Sequence, residues 1–158
     1  AFLLNRSSDL TSAQLGPVHA LVGHSMGAMI CARAMQLGLP AERVVMIAAP
    51  AEIMPYARFF QRVFALDDAT IDGMVARLHA RFGLSPADAT AARLSEGRSE
   101  PLLILHDRED PDVPLRHPEA WISAWPGSFG RSSATRYQEE LYRGVYAPIV
   151  AACRPSKV

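Results

Sequence analysis

Several large functional classes are excluded by what this sequence has little of. Its 16 basic and 16 acidic residues cancel to a formal net charge of zero, so it has no basic patch asking for nucleic acid or an anionic membrane surface. The two cysteines, Cys31 and Cys153, fall in unrelated segments, and two free thiols in a reducing, cytoplasmic compartment are expected rather than a disulfide. No apolar run approaches the ~18 residues of a membrane-spanning helix. The apolar stretch within residues 1–10 is too short for a signal peptide, and no basic start precedes it. The chain begins with Ala rather than Met, which suggests a processed, trimmed or incomplete product. Neither G-x-x-x-x-G-K nor G-x-G-x-x-G occurs, so no phosphate-cradling loop is expected. Cys-x-x-Cys and His-Glu-x-x-His are also missing and the five histidines are scattered, so neither a metal site nor a cofactor is indicated. There is no internal repeat, heptad run or low-complexity segment.

What is present suits one globular domain over residues 1–158, long enough to bury a core, with 49% hydrophobic and 20% charged residues. The chain is organised around Val22-Gly23-His24-Ser25-Met26-Gly27-Ala28, a G-x-S-x-G pattern. Val18–Val22 reads as a short apolar strand and Met29–Met35 as a helix of good helix formers. A serine at such a junction sits on a sharp turn with its hydroxyl pushed out of the sheet's end. Gly23 and Gly27 are expected to leave room, because a Cβ at either would crowd a neighbouring strand or helix. The N–H groups at the helix start, that of Met26 first, would face an oxyanion formed on a carbonyl under attack. His24 is expected to point away from the serine, into the nearby wall.

The rest of the chain alternates between strand and helix. A short helix from Leu10 is broken by Gly16-Pro17, and the helix after Ser25 stops at Gly38-Leu39-Pro40. Val44–Ala49, closed by Pro50, suits a strand buried on both faces of a parallel sheet. Residues 51–97 interrupt the alternation with three helices: Pro55 to Phe64, a second capped by Asp68 and ending at Gly83, and a third with Ser85 as cap and Pro86 in the first turn. They read either as packing helices covering the sheet or as a helical cap over the serine whose Phe59, Phe60 and Met74 supply the acyl or leaving-group pocket. Leu102–Leu105 is a further apolar strand, followed by the acidic loop His106–Leu115 and a helix over Pro118–Trp125. That loop lies at the carboxyl edge of the sheet, the edge that also carries Ser25 and where ligands bind in open α/β sheets. Residues 128–158 read as a divergent segment: no strand pattern shows over 128–136, and Tyr137, Leu141, Val145 and Ile149 allow a C-terminal helix bent or ended by Pro148.

Gly23-His24-Ser25-Met26-Gly27 after its apolar strand resembles the nucleophile elbow of the α/β-hydrolase family, in its esterase- and lipase-like branches. The resemblance covers residues 10 to 127 and implies a partial α/β-hydrolase fold, a parallel sheet flanked by helices with a helical cap insertion over 51–97. It implies chain order Ser, Asp, His for a catalytic triad, with Ser25 first. Asp110-Pro111-Asp112-Val113-Pro114 is similar to the family's acid loop, which places the orienting carboxylate on Asp110, with Asp107 and Asp112 as alternatives. It further implies an oxyanion hole with Met26 as one donor, a small-molecule acyl substrate, and no nucleic acid, membrane or cofactor. The last member of the triad is not where the family pattern has it, since no histidine follows His117. His19, His24, His79, His106 and His117 are the candidates to replace it, each with a structural or surface role as the alternative. Two expectations follow: an ester-cleaving serine hydrolase, or an inactive or truncated remnant serving at most as an interaction module.

Overall fold

The computed structural model describes residue 16 and residues 18–133. The helices expected from Leu10 and after Tyr137 lie outside the described residues, as does Cys153. Four strands form one sheet in the order β1 (Leu21–His24), β2 (Val44–Ile47), β3 (Leu102–Asp107) and β4 (Ser128–Ser133), every pairing parallel. The first crossover carries helix α1 (Met26–Gln36). The second carries α2 (Met54–Val63), α3 (Asp68–Phe82) and α4 (Ala91–Leu94), and the third α5 (Arg116–Ala124).

The apolar runs of β2 and β3 end up buried on both faces, as their lack of alternation requires. Val44, Met46, Leu102 and Ile104 face one way and pack with Ala28, Met29, Ala32 and Met35 of α1, Leu94 of α4, and Trp121 and Trp125. Val45, Leu103 and Leu105 face the other way and cluster with Ile47. Two indole N–H groups are satisfied inside this packing, Trp121 Nε1 on the Pro50 carbonyl at 3.0 Å and Trp125 Nε1 on that of Glu100 at 2.8 Å.

Residues 128–133 depart from the expectation of a patternless segment, since they form β4. Ser-Phe-Gly-Arg-Ser-Ser carries no apolar run because it is held by the backbone ladder to β3, from Leu102 opposite Ser128 to Asp107 opposite Ser133. Its position is set just upstream. A Cβ on Gly127 would lie 2.7 Å from the Glu100 carbonyl oxygen, and the Gly127 carbonyl accepts from Leu102 N–H at 3.1 Å. The close approach that only glycine permits therefore delivers the chain into register beside β3.

The insertion over 51–97 is helical, with two of its starts shifted. Asp67, not Asp68, caps α3 by accepting from Thr70 N–H at 2.7 Å. Asp68 instead receives Arg58 and Gln61, both at 2.8 Å. Ser85 does not open a helix. Its hydroxyl closes a turn onto Asp88 N–H, and α4 begins later behind Thr90, whose hydroxyl accepts from Arg93 N–H. Gly83 ends α3 in the left-handed conformation, φ 61°. The apolar stripe of α2 and α3 is only partly covered: Ile71 is fully buried, whereas Phe59, Phe60, Phe64 and Met74 are exposed. Among the described residues no helix is long and apolar enough to cross a membrane.

The joint between β1 and α1 is the tightest constraint in this framework. A Cβ on Gly23 would fall 2.5 Å from Ala28 Cα and 2.6 Å from the Gly27 carbonyl oxygen, both backbone atoms that cannot swing aside. Gly23→Ala is therefore expected to lower the unfolding free energy by ~3 kcal/mol or more. Urea denaturation checks it, and a loss under ~1 kcal/mol would contradict so close a contact.

Candidate functional site

Ser25 joins β1 to α1 with φ 54° and ψ −129°, a conformation that L-residues rarely adopt and that costs on the order of 1–3 kcal/mol. Its amide donates to the Ile47 carbonyl at 2.8 Å, and its own carbonyl accepts from Ala28 N–H at 3.0 Å. The turn is thus pinned to β2 on one side and to the first turn of α1 on the other. Met26 is the first residue of α1, so its N–H has no carbonyl four residues back inside the helix to bond. The crowding expected at both glycines of the motif holds at Gly23 only: a Cβ on Gly27 would meet no described atom within 4 Å.

Ala48, just past β2, repeats the pattern, with φ 47° and its amide donating to the Leu105 carbonyl at 3.0 Å. Ser25, Ala48 and Asp107 lie at the carboxyl ends of three adjacent parallel strands. There they border a cleft of about 560 Å³, within the range of small-molecule sites. Its remaining lining is His24 and the stretch Glu109–Val113.

The cleft brings Ser25 and Asp110 together, along with both alternative acids. Asp110 is buried, and its Oδ1 accepts from the N–H groups of Asp112 and Val113, each at 2.9 Å. Asp107 is also buried and holds Glu109 N–H at 2.9 Å, whereas Asp112 is exposed. Asp110 thus accepts two N–H bonds from its own loop and Asp107 one.

The five histidines fall in different places. His19 precedes β1, at the end of that strand away from Ser25, and pairs with Glu42 at 2.7 Å. His79 is exposed on α3. His106 is buried on β3, and neither ring nitrogen has a hydrogen-bond partner among the described residues. His117 is buried on α5, where Nδ1 accepts from Ala51 N–H at 3.0 Å. That bond fixes the neutral ring with its proton on Nε2. His24, expected to turn into the wall, is exposed and lines the cleft beside Ser25. The strand direction that argued otherwise does not operate at the last residue of a strand, where the chain is already turning.

Tyr56, given only an apolar role by its helical spacing, reaches this region. Its hydroxyl donates to the Asp112 carbonyl at 3.1 Å, and its ring lies against His117 with centroids 6.1 Å apart. Burial pushes its phenol pKa up, and the charge of Asp110 adds to that. Cys31 lies half-buried on α1, its thiol pKa raised by burial. Among the described residues no group of three or more His, Cys, Asp or Glu is placed to hold a metal ion.

No family model matches the chain, and no curated protein matches it either. Solved structures do. A protein of Mycobacterium tuberculosis carrying the name non-heme bromoperoxidase BpoC is similar with a TM-score of 0.66 at 13% identity, over 97% of this chain and 74% of that one. An alpha/beta hydrolase from Sphaerobacter thermophilus gives 0.62 at 16%, over 96% and 75%. A lipase-esterase related protein from Clostridium acetobutylicum gives 0.63 at 14%, over 94% and 73%. At these identities the likeness establishes architecture: the chain has an α/β-hydrolase fold, in part.

The bond from Ala51 to His117 makes stability depend on pH in a definite direction. Burial lowers the pKa of His117, nearby Arg116 and His106 lower it further, and Glu52 opposes them. The unfolded chain then takes up the proton at higher pH than the folded one. This contribution is complete above the ordinary histidine value of ~6.5 and is lost as pH falls through it toward the lower folded value. His117→Gln keeps an acceptor for Ala51 N–H and removes the titration. Urea midpoints measured from about pH 7.5 to 5 are expected to fall less steeply in this variant than in the parent. Identical slopes would mean that His117 does not carry the effect.

Proposed function

We propose that the chain is a serine hydrolase acting on ester-type acyl bonds, with Ser25 as nucleophile, Asp110 as orienting carboxylate and Met26 N–H as an oxyanion donor. In this reading Ser25 Oγ adds to the carbonyl carbon of a small-molecule ester, and the negative charge passes to the carbonyl oxygen. The C–O bond to the alcohol then breaks, the alcohol leaves with the proton that Ser25 Oγ gave up, and water adds to the acyl-serine to release the acid and restore the serine hydroxyl. No cofactor enters. The observation that carries the reading is the strained, non-glycine turn at Ser25, held open at a cleft that also contains a buried, loop-fixed Asp110. Backbone strain of this kind persists where the surrounding structure over-determines it, and it clusters at reacting residues. Support also comes from the similar structures, whose names include hydrolase and lipase-esterase related protein.

The charge around the cleft supports an uncharged substrate in this reading. Asp107, Glu109, Asp110 and Asp112 border it, so an anionic substrate would meet repulsion in a partly desolvated site, whereas a neutral ester would not. The same field would help expel the carboxylate product.

A second reading, a catalytically silent chain of the same fold, is favoured by one observation. Of the five histidines, all among the described residues, only His24 lines the cleft. A serine without a base to take its proton retains little beyond the oxyanion contribution. A fluorophosphonate probe together with a short-chain aryl ester separates the two. The serine-hydrolase reading expects labelling and turnover that vanish in Ser25→Ala and fall by ~100-fold or more in Asp110→Asn. A folded sample that takes up no label and turns over no ester supports the silent chain.

A further inference from the structure

One peptide unit in the acid loop is gripped from both of its ends. Its amide, Val113 N–H, donates to Asp110 Oδ1 at 2.9 Å, and its carbonyl, on Asp112, accepts the Tyr56 hydroxyl at 3.1 Å. The two bonds share a single planar group, so they are not independent. A donor on the carbonyl draws electron density toward oxygen, polarises the amide and strengthens the bond that the N–H makes in turn. The phenol comes from a different part of the chain, the first turn of α2. Its ring is steadied by His117, which itself holds Ala51. The helical insertion and the acid loop are thereby tied at one point, 56 residues apart in sequence.

We infer that Tyr56 is a positioning residue for the Asp110 carboxylate, acting through the Asp112–Val113 peptide. This rests on the reading in which Asp110 is the orienting acid. Tyr56 does not line the cleft, so its effect passes through the loop. With the phenol in place the peptide plane is fixed, and Val113 N–H stays aimed at Asp110 Oδ1. Without it the carbonyl turns to solvent, the amide rotates with it, and the carboxylate loses the more strongly polarised of its two loop donors. A shift of a fraction of an ångström in a group that must orient another is enough to slow a reaction.

The test follows the Val113 amide by NMR alongside Ser25 labelling by a fluorophosphonate. Tyr56→Phe removes one oxygen and keeps the ring against His117. It is expected to move the Val113 amide proton upfield, to speed its exchange with solvent by ~10-fold, and to slow labelling by ~5-fold. A ring-fluorinated tyrosine at position 56, a stronger donor while protonated, is expected to move the Val113 amide the opposite way, which loss of packing could not do. An unmoved Val113 amide in Tyr56→Phe overturns the inference. So does a moved amide with labelling at the parent rate, because the bond would then exist without positioning anything. A parent chain that never labels sinks the serine-hydrolase reading instead, and the amide still decides whether Tyr56 holds the loop.

Discussion

Two ladder bonds support the whole site: Ser25 N–H on the Ile47 carbonyl and Ala48 N–H on the Leu105 carbonyl. Each extends a parallel pairing one residue past the end of a strand, and each grips a residue with positive φ. Strain at Ser25 is therefore borne by β2, and strain at Ala48 by β3. β3 can bear it because its six residues are buried throughout and Leu102 to Leu105 are paired on both sides. The carboxyl edge of the sheet is a staircase in which each step is braced by the strand beyond it.

The helices secure the same edge from outside. Trp121 and His117, four residues apart on one face of α5, take the Pro50 carbonyl and the Ala51 amide that follow the strained Ala48. Both side chains are buried, so the bonds form where water does not compete. The Pro50-Ala51 segment could otherwise relax and release Ala48. A histidine that the sequence offers as a replacement base is thus committed to backbone support.

How much of this was legible in the residues depends on where the information lies. Val44–Ile47 and Leu102–Leu105 could be read because strands buried on both faces must be apolar throughout, and breakers bound them. The sharp turn at Ser25 could be read because glycine at position 23 and the flanking strand and helix are local requirements. β4 could not, because its order comes from the ladder to β3 and from the close packing of Gly127 on Glu100, both non-local. The cap of α3 lies one residue before the expected Asp68 for a related reason. Asp67 and Asp68 are the same residue type side by side, and Asp68 is engaged by Arg58 and Gln61 of α2 while Asp67 caps. The Gly27 rationale failed because a motif names residue types without saying what stands next to each.

The helical insertion shows the limit most clearly. The period of Tyr56, Phe59, Phe60, Val63 and Phe64 reports that α2 has an apolar face, and it cannot report what that face meets. Phe59, Phe60 and Met74 do not line the cleft beside Ser25. Phe60 of α2 packs against Phe59 and against Phe64, which follows the helix. The polar end of Tyr56, in the first turn of α2, links the insertion to the acid loop. A pattern of apolar positions carries no information about a single hydroxyl. The hydroxyl that reaches the acid loop therefore belongs to a residue of the apolar stripe, where the pattern does not show it.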